Sequence, residues 1–177
     1  RVKYLVCNSD EGEPGTCKDK LIMKYNPHQL LEGIAIACYA MGISAAYNYL
    51  RGEYLLSFAA CEKALKEAYQ EGLLGDKILG TELSIHVYNL LGAGSYIVGE
   101  ETAMLESLEG KRAQPRNKPP FPALNGLYGC PTMVNNTETL ASVPVIFEQG
   151  PEAFLARGTE KSGGTKIFSV SGHVSEP

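Results

Sequence analysis

The sequence has no paired cysteines and no clustered histidines. None of its five cysteines occurs in a C-x-x-C pair, and its three histidines are scattered along the chain. Zinc and iron–sulfur sites need closely spaced thiolates or imidazoles, and disulfide scaffolds usually have an even number of cysteines. We therefore expect free thiols in a reducing compartment and no metal site within these residues. The cysteines are Cys7, Cys17, Cys38, Cys61 and Cys130.

An excess of positive charge is also missing, since 16 basic residues oppose 20 acidic residues and the net charge is −4. Nucleic-acid-binding surfaces are basic, so we expect no nucleic-acid partner. No G-x-S-x-G, H-E-x-x-H or Walker A motif occurs, which leaves nucleophilic, zinc-dependent and P-loop chemistry without support. The uncharged residues 33–50 include glycine, serine and asparagine, so we expect a buried helix and strand there and no membrane span.

Apolar strand-like runs alternate with amphipathic helical segments through the first two thirds of the chain. The length of 177 residues and the apolar fraction of 44% fit one globular domain with the start of another. This order predicts an α/β fold: a Rossmann-like, mainly parallel sheet flanked by helices, with right-handed crossovers. The predicted strands are Tyr4–Cys7, Ala45–Leu50 and Leu83–Leu91, and the predicted helices are His28–Met41, one ending near Glu71 and one beginning near Gly99.

The last third of the sequence is less regular. Five prolines between Arg112 and Thr132 predict an ordered, extended loop, and Glu138–Gln149 is typical of a last helix, with a kink or restart at Pro144. A linker, residues 150–164, precedes a β-like run. We therefore predict a Rossmann-like domain over residues 1–160, followed by a linker and the first strand of a ubiquitin-like β-grasp domain over residues 161–177.

Two acidic, glycine-containing loops follow predicted strands. They are NSDEGEPG, residues 8–15, and GAGSYIVGEET, residues 92–102. Ligands of open α/β sheets bind at the carboxyl ends of strands, so the loops predict a cleft lined by carboxylates. Such carboxylates would repel one another unless a ligand supplied hydrogen-bond donors, and a carboxamide, a ribose or a flavin edge would do so. A solvated acidic surface is the alternative interpretation, and helix capping accounts for one of Glu100 and Glu101.

Two further patterns each have a structural and a functional interpretation. Gly92, Gly94 and Gly99 do not have the spacing of the dinucleotide fingerprint, and such a turn is usually structural, although it also suits an anion. Residues 135–139, NNTET, place amides and hydroxyls at the expected start of the last helix. One of these residues is expected to be the N-cap, and the group is also suited to hold a phosphate.

Five motifs in one order resemble a known family. They are NSDEGEPGTCKD, YLRGEY, GAGSYIVGEETAMLESLEGKR, RNKPPFPA and PTMVNNTET, and they span roughly residues 4 to 142. Together they resemble the FMN-binding, NADH-oxidising subunit of bacterial respiratory complex I, the 51 kDa family. Diaphorase subunits of NAD-linked hydrogenases and formate dehydrogenases share this module, but the P-G-T-x-K-D wording is closer to complex I.

The resemblance implies an NADH:quinone oxidoreductase subunit. FMN would accept a hydride from NADH and pass electrons singly to iron–sulfur clusters, toward quinone. It also implies partners among the hydrophilic-arm subunits, especially the 24 kDa-type iron–sulfur subunit, and a cytoplasmic location, peripheral on the inner membrane as part of the complex.

The resemblance assigns binding roles to individual residues, with no catalytic side chain because the flavin carries the redox chemistry. The residues implied for FMN are Asn8, Asp10, Glu11, Gly99, Glu100, Val134, Asn135, Asn136 and Thr139. The residues implied for NADH are Glu13, Tyr96, Glu101, Lys118 and Phe121.

Four positions differ from the residues usual in the family's motifs, and two features of the family lie outside residues 1–177. The departures are Ser95 for Arg, Val98 for Cys, Cys17 for Tyr and Thr137 for Val. The family's glycine-rich FMN loop would precede Arg1, and the ligands of a 4Fe-4S cluster in the full-length chain would follow Pro177. We therefore expect residues 1–177 alone to bind FMN weakly or not at all and to be inactive.

Two other function classes compete with this interpretation. A non-catalytic module that docks a partner subunit would use the acidic loops as solvated surface. A hydrolase with paired carboxylates would turn over substrate without flavin. Flavin and NADH titrations of Glu101→Gln and Asn136→Ala variants distinguish a redox module from a docking module.

Overall fold

The computed structural model describes residues 2–176 and contains a four-stranded, all-parallel sheet. The strand order is β3-β2-β1-β4, and Val6 in β1 lies opposite Tyr47 in β2 and Val134 in β4. The predicted α/β, mainly parallel sheet is confirmed. The strands are β1 (Tyr4–Ser9), β2 (Ala45–Leu50), β3 (His86–Leu91) and β4 (Thr132–Asn136).

Seven α-helices occur in residues 2–176, and four of them cover one face of the sheet. Leu5, Ala46 and Val87 point from β1, β2 and β3 into this main core, which also contains Leu30 and Leu140. The opposite face carries a smaller cluster, in which α4 packs on Val6 and Tyr49. The helices are α1 (Lys18–Tyr25), α2 (Pro27–Met41), α3 (Leu55–Gln70), α4 (Glu101–Leu108), α5 (Pro122–Asn125), α6 (Thr137–Gln149) and α7 (Pro151–Leu155).

The predicted strand Ala45–Leu50 is confirmed, and the helix predicted from His28 begins one residue earlier. Helix α1 was not among the predicted elements, and it begins at Lys18, shortly after the first acidic loop. A side chain from the preceding loop, and not a residue next to the helix, caps its start: the Glu11 carboxylate accepts the N–H groups of Asp19 and Lys20.

Strand β4 was also missed, because the sequence placed Asn135 and Asn136 at the start of a helix. Both residues lie in β4, opposite Cys7 and Asn8 of β1, and the helix begins at Thr137. Five residues after a proline-rich stretch carry little strand signal, and their pairing with β1 stabilises them.

The structure of the segments after α4 agrees only in part with the structure predicted from the sequence. Residues 112–131 form the expected irregular stretch, although they include α5 and a 3₁₀ turn, and the predicted linker contains α7. Residues 165–176 form neither helix nor strand, so the β-grasp assignment remains a prediction. Each helix within residues 2–176 is too short or too polar to span a bilayer.

Candidate functional site

A cleft of about 620 Å³ opens at the carboxyl ends of β1 and β4. The chain leaves β1 toward β2 on one side and returns as β4 on the other, and such a switch point is where open α/β sheets bind ligands. The predicted meeting of the two acidic loops is found there. The cleft is lined by Asn8, Asp10, Glu11, Gly12, Glu13, Thr16, Lys18, Asp19, Tyr96, Ile97, Gly99, Glu100, Asn136 and Glu138.

Glu11 is a buried carboxylate whose hydrogen bonds are supplied by the protein. Its Oε1 accepts the N–H of Asp19 at 3.0 Å, and its Oε2 accepts the N–H of Lys20 at 3.1 Å and the Tyr54 hydroxyl at 2.9 Å. Arg51 also donates to its carbonyl oxygen at 2.7 Å. Glu11 therefore shapes the cleft by holding α1 in place, and its implied contact with flavin remains a prediction.

We expect Glu11→Gln to lower the free energy of unfolding by about 2 kcal/mol, because an amide would turn an N–H₂ group toward donors that now face a carboxylate. Urea denaturation of the purified protein measures the change. Glu13→Gln is the matched control, since Glu13 is exposed and, among the described residues, its side chain accepts a hydrogen bond only from the exposed Tyr96 hydroxyl. Equal stability of the two variants would contradict the capping role of Glu11.

Asp10 is buried and incompletely bonded. Its side-chain Oδ2 accepts no hydrogen bond from any residue in the described part of the chain. Burial raises the pKa of this carboxyl to about 6, although the nearby Arg51 guanidinium lowers it. Because a buried oxygen without a donor destabilises the fold, this atom is suited to accept a hydrogen bond from a ligand.

The floor of the cleft is an amide with all four hydrogen bonds made by the protein. The Asn136 Nδ2 donates to the Asn8 carbonyl at 3.2 Å and to Asp19 Oδ2 at 2.7 Å. Its Oδ1 accepts from Lys18 Nζ at 3.0 Å and from the N–H of Glu138 at 3.0 Å, which makes Asn136 the N-cap of α6. An amide has two donors and two acceptor positions, so no side-chain position of Asn136 is left for a ligand.

Lys18 organises this floor and was missed in the sequence analysis. Its Nζ lies 2.7 Å from Asp19 Oδ1 and 3.1 Å from Glu138 Oε2, in addition to its bond with Asn136. Burial lowers the pKa of Lys18, but the two carboxylates more than offset this effect and the pKa is raised. The pKa of Asp19 is also raised, because the effect of burial exceeds the lowering by Lys18 and Asn136. No sequence signal separated this lysine from the other charges of the loop.

A buried polar network that was also missed lies behind the floor. The Ser9 Oγ donates to Asn48 Oδ1 at 2.6 Å and lies 2.6 Å from Thr137 Oγ1. The Asn48 Nδ2 donates to Asn89 Oδ1, which extends the network to β3. The network thus ties together the carboxyl ends of three strands and the start of α6. The family departure at Thr137 supplies one of its hydroxyls.

The second wall comes from residues 96–101. The Tyr96 hydroxyl donates to Glu13 Oε2 at 2.8 Å, and the Asn8 Nδ2 donates to the Gly99 carbonyl at 2.9 Å. Glu100 caps α4, because its Oε2 accepts the N–H groups of Thr102 and Ala103. Burial raises the pKa of Glu100, but these donors outweigh it and the pKa is lowered. The prediction that capping accounts for one carboxylate of the pair is confirmed.

Glu101 and Lys118 meet at the rim of this wall. The Lys118 Nζ bonds with Glu101 Oε1 and lies 3.5 Å from Glu100 Oε1. Four other implied residues lie outside the cleft lining, and their roles remain predictions. Val134 packs on the small core cluster, Asn135 lies in β4, and Thr139 and Phe121 are exposed. Within residues 2–176, no three His, Cys, Asp or Glu side chains are grouped to hold a metal ion.

The glycine turn after β3 fits its structural interpretation. A Cβ on Gly92 would lie 2.8 Å from the ring of Tyr49, and a Cβ on Gly52 would lie 2.5 Å from the Gly92 carbonyl. The turns after β2 and β3 therefore pack backbone to backbone, and glycine is needed for this close approach.

Comparison with known proteins agrees with this geometry. The family model described as the Nuo51 FMN-binding domain matches residues 1–145. The chain is 55% identical over 175 residues to an NADH-quinone oxidoreductase subunit of Rhizobium meliloti, and 53% identical over 177 residues to the mitochondrial NADH dehydrogenase [ubiquinone] flavoprotein 1 of Dictyostelium discoideum. These alignments cover 99% and 100% of this chain but 42% and 37% of the relatives.

A solved structure is also similar. A crystal structure of an NAD⁺-reducing [NiFe]-hydrogenase matches 99% of this chain and 29% of its own chain, with a TM-score of 0.89 and 41% identity. The present chain thus spans less than half the length of the proteins it matches. With the family model covering most of its residues, the chain belongs to the Nuo51 FMN-binding domain family.

Proposed function

We propose that this chain is the FMN- and NADH-binding module of a complex I flavoprotein subunit. The observation that carries the proposal is a carboxylate-lined cleft at the switch point of a sheet whose family is named for FMN binding. Relatives above 50% identity are named as NADH-quinone or NADH–ubiquinone enzymes, whereas the similar hydrogenase is 41% identical. The similarity therefore favours complex I over a hydrogenase diaphorase.

The cleft has a chemistry that fits a flavin nucleotide. Asp10 Oδ2 is a buried acceptor without a donor in the described part of the chain, and a flavin N–H or a ribityl hydroxyl would supply one. Asn8, Gly99 and Glu100 lie around the same cavity, and Asn135 and Asn136 precede the N-terminus of α6, which favours an anionic group. Bound FMN would supply hydride acceptance from NADH and single-electron transfer onward.

NADH would approach from the side of Glu13, Tyr96 and Glu101. Carboxylates accept hydrogen bonds from ribose hydroxyls, and Lys118 and Phe121 offer a cation and an exposed ring for the adenosine half. Phe121 is 56% exposed, which leaves its ring free to stack. The protein groups bind and orient the two nucleotides and exclude water, so no side chain in this scheme transfers a proton.

The proposal extends to the electron acceptors and to the assembly. Electrons would leave toward iron–sulfur clusters, including a 4Fe-4S cluster in the longer chain and those of a 24 kDa-type subunit. The names of the relatives, as subunits of NADH-quinone oxidoreductases, support partners among the other subunits of such an enzyme. The proposal places these partners in the hydrophilic arm and the module on the cytoplasmic side of the membrane. A purely docking role leaves the Asp10 oxygen without an explanation.

The full-length gene product provides the test. We expect it to purify with about one FMN per chain and to reduce ferricyanide with NADH. Glu101→Gln should raise the KM for NADH at least threefold with FMN content unchanged, because a hydrogen bond to a charged acceptor is lost. Glu82→Gln, on an exposed loop away from the cleft, is the matched control.

The two function classes predict different outcomes. Full-length protein that neither retains FMN nor oxidises NADH would overturn the redox proposal. An unchanged KM in Glu101→Gln, together with an unchanged FMN affinity in Asp10→Asn, would favour the docking module.

A further inference from the structure

The Thr102 hydroxyl joins the Glu100 carboxylate to a separate segment of the chain. Thr102 is 1% exposed, and its Oγ1 donates to Glu100 Oε2 at 2.6 Å. The same oxygen accepts the backbone N–H of Arg116 at 2.8 Å. One buried oxygen therefore fixes both a carboxylate on the cleft wall and the backbone of residues 112–121, here called the proline-rich segment.

The Arg116 side chain fastens the proline-rich segment to α4. Its Nε donates to Glu106 Oε1 at 2.5 Å, and its Nη2 donates to Glu109 Oε1 at 2.7 Å. Its Nη1 donates to the Gly126 carbonyl at 2.9 Å. Because all three nitrogens of the guanidinium are engaged and both carboxylates are partly buried, this anchor is stronger than an exposed ion pair.

Lys118 lies two residues beyond this anchor and reaches the cleft rim. Its ion pairs with Glu100 and Glu101 are partly exposed, and such pairs do little to immobilise a flexible lysine. The backbone position at Arg116 therefore determines where the Lys118 ammonium group can lie. The Thr102 hydroxyl fixes the Arg116 backbone relative to Glu100, because it bonds to both.

We propose that Thr102 and Arg116 are positioning residues for NADH binding. They act by holding Lys118 where its ammonium group reaches Glu100 and Glu101. The inference rests on the proposed function, since it assigns the binding of that substrate to a particular network. Neither side chain lines the cleft, so their effect on NADH is transmitted through Lys118 and the two glutamates. Loss of such positioning weakens binding more than it slows turnover.

The test uses the full-length, FMN-loaded gene product. Thr102→Val removes the hydroxyl at nearly constant shape, and we expect the KM for NADH to rise about tenfold, as for the loss of one hydrogen bond, with kcat within about twofold. Thr102→Ser restores the hydroxyl and should return the KM to within about twofold of the unmodified protein. Arg116→Lys should give an intermediate rise, because an ammonium cannot reproduce the fork of the guanidinium.

Lys111→Met is the matched control. Lys111 also pairs with Glu109, at 2.7 Å, but it is exposed and does not bond to the proline-rich segment. We expect its KM to be unchanged. A KM near that of the unmodified protein in FMN-loaded Thr102→Val and Arg116→Lys would overturn the inference, even if both variants were less stable. Absence of NADH oxidation in the unmodified protein would instead overturn the proposed function.

Discussion

Gly33→Ala is expected to lower the free energy of unfolding by about 3 kcal/mol, although alanine is the better helix former by about 1 kcal/mol. Gly33 lies within α2 where this helix crosses α6. A Cβ at this position would lie 1.9 Å from the Leu140 carbonyl oxygen and 2.7 Å from its carbon, and both are backbone atoms. The helices must therefore separate, because no side chain can move aside.

The reverse substitution on the same helix is the control. Ala40→Gly lies on the exposed side of α2, and we expect it to cost about 1 kcal/mol through helix propensity alone. Urea denaturation of the FMN-free protein compares the two. If Gly33→Ala were as stable as the unmodified protein, the close approach of α2 and α6 would be wrong. Separation of the helices would also displace Asn136 and Glu138 at the start of α6, so FMN retention should fall with stability.

The sequence was sufficient to predict those helices and strands whose own residues show a clear helical or strand pattern. Strand β2 and helix α2 were predicted nearly to the residue, because the spacing of their apolar residues is a local feature. Helix α1 and strand β4 were missed because residues outside the two elements stabilise them. Glu11 caps the first, and pairing with β1 forms the second.

The candidate site could also be predicted only in part from the sequence. The two acidic loops could be assigned to one cleft, because parallel strands end at a common edge of the sheet. Beyond the expectation that one of Glu100 and Glu101 caps a helix, the role of each carboxylate could not be predicted. Glu11 accepts three hydrogen bonds from the protein, Glu100 caps a helix, and Asp10 has one oxygen without a donor among the described residues. The contacts of Lys18 and Thr137 could not be predicted either, since each residue bonds to a partner more than 100 residues away in the sequence.

The buried Asp10 carboxylate destabilises the folded protein and offers an acceptor oxygen to a ligand. Burial raises its pKa to about 6 in the folded protein, whereas an aspartate in the unfolded chain titrates near pH 4. Between these two pH values the folded state binds more protons than the unfolded state. Stability therefore falls as the pH rises from about 4 to about 6, and the full penalty persists at higher pH. A residue retained at such a cost fits a role in ligand binding.

Asp10→Asn should accordingly stabilise the FMN-free protein and weaken cofactor binding. At pH 8 we expect the free energy of unfolding to rise by about 1 to 2 kcal/mol, and at pH 4 we expect no gain, because the carboxyl is then already neutral. Urea denaturation at the two pH values measures this difference. Asp76→Asn is the matched control, because Asp76 is exposed and should show no comparable gain at pH 8.

In the full-length gene product, the same Asp10→Asn substitution should lower FMN affinity about a hundredfold, since a charged acceptor for a flavin or ribityl donor is lost. Fluorescence titration of the apoprotein with FMN measures the affinity. A variant that is stabilised at pH 8 yet binds FMN as tightly as the unmodified protein would separate the two effects and remove Asp10 from the cofactor site. A variant that loses both stability and FMN would show that the carboxylate is structural. Only opposite changes in stability and affinity support the assignment of Asp10 as a ligand acceptor, because a purely structural carboxylate cannot produce both.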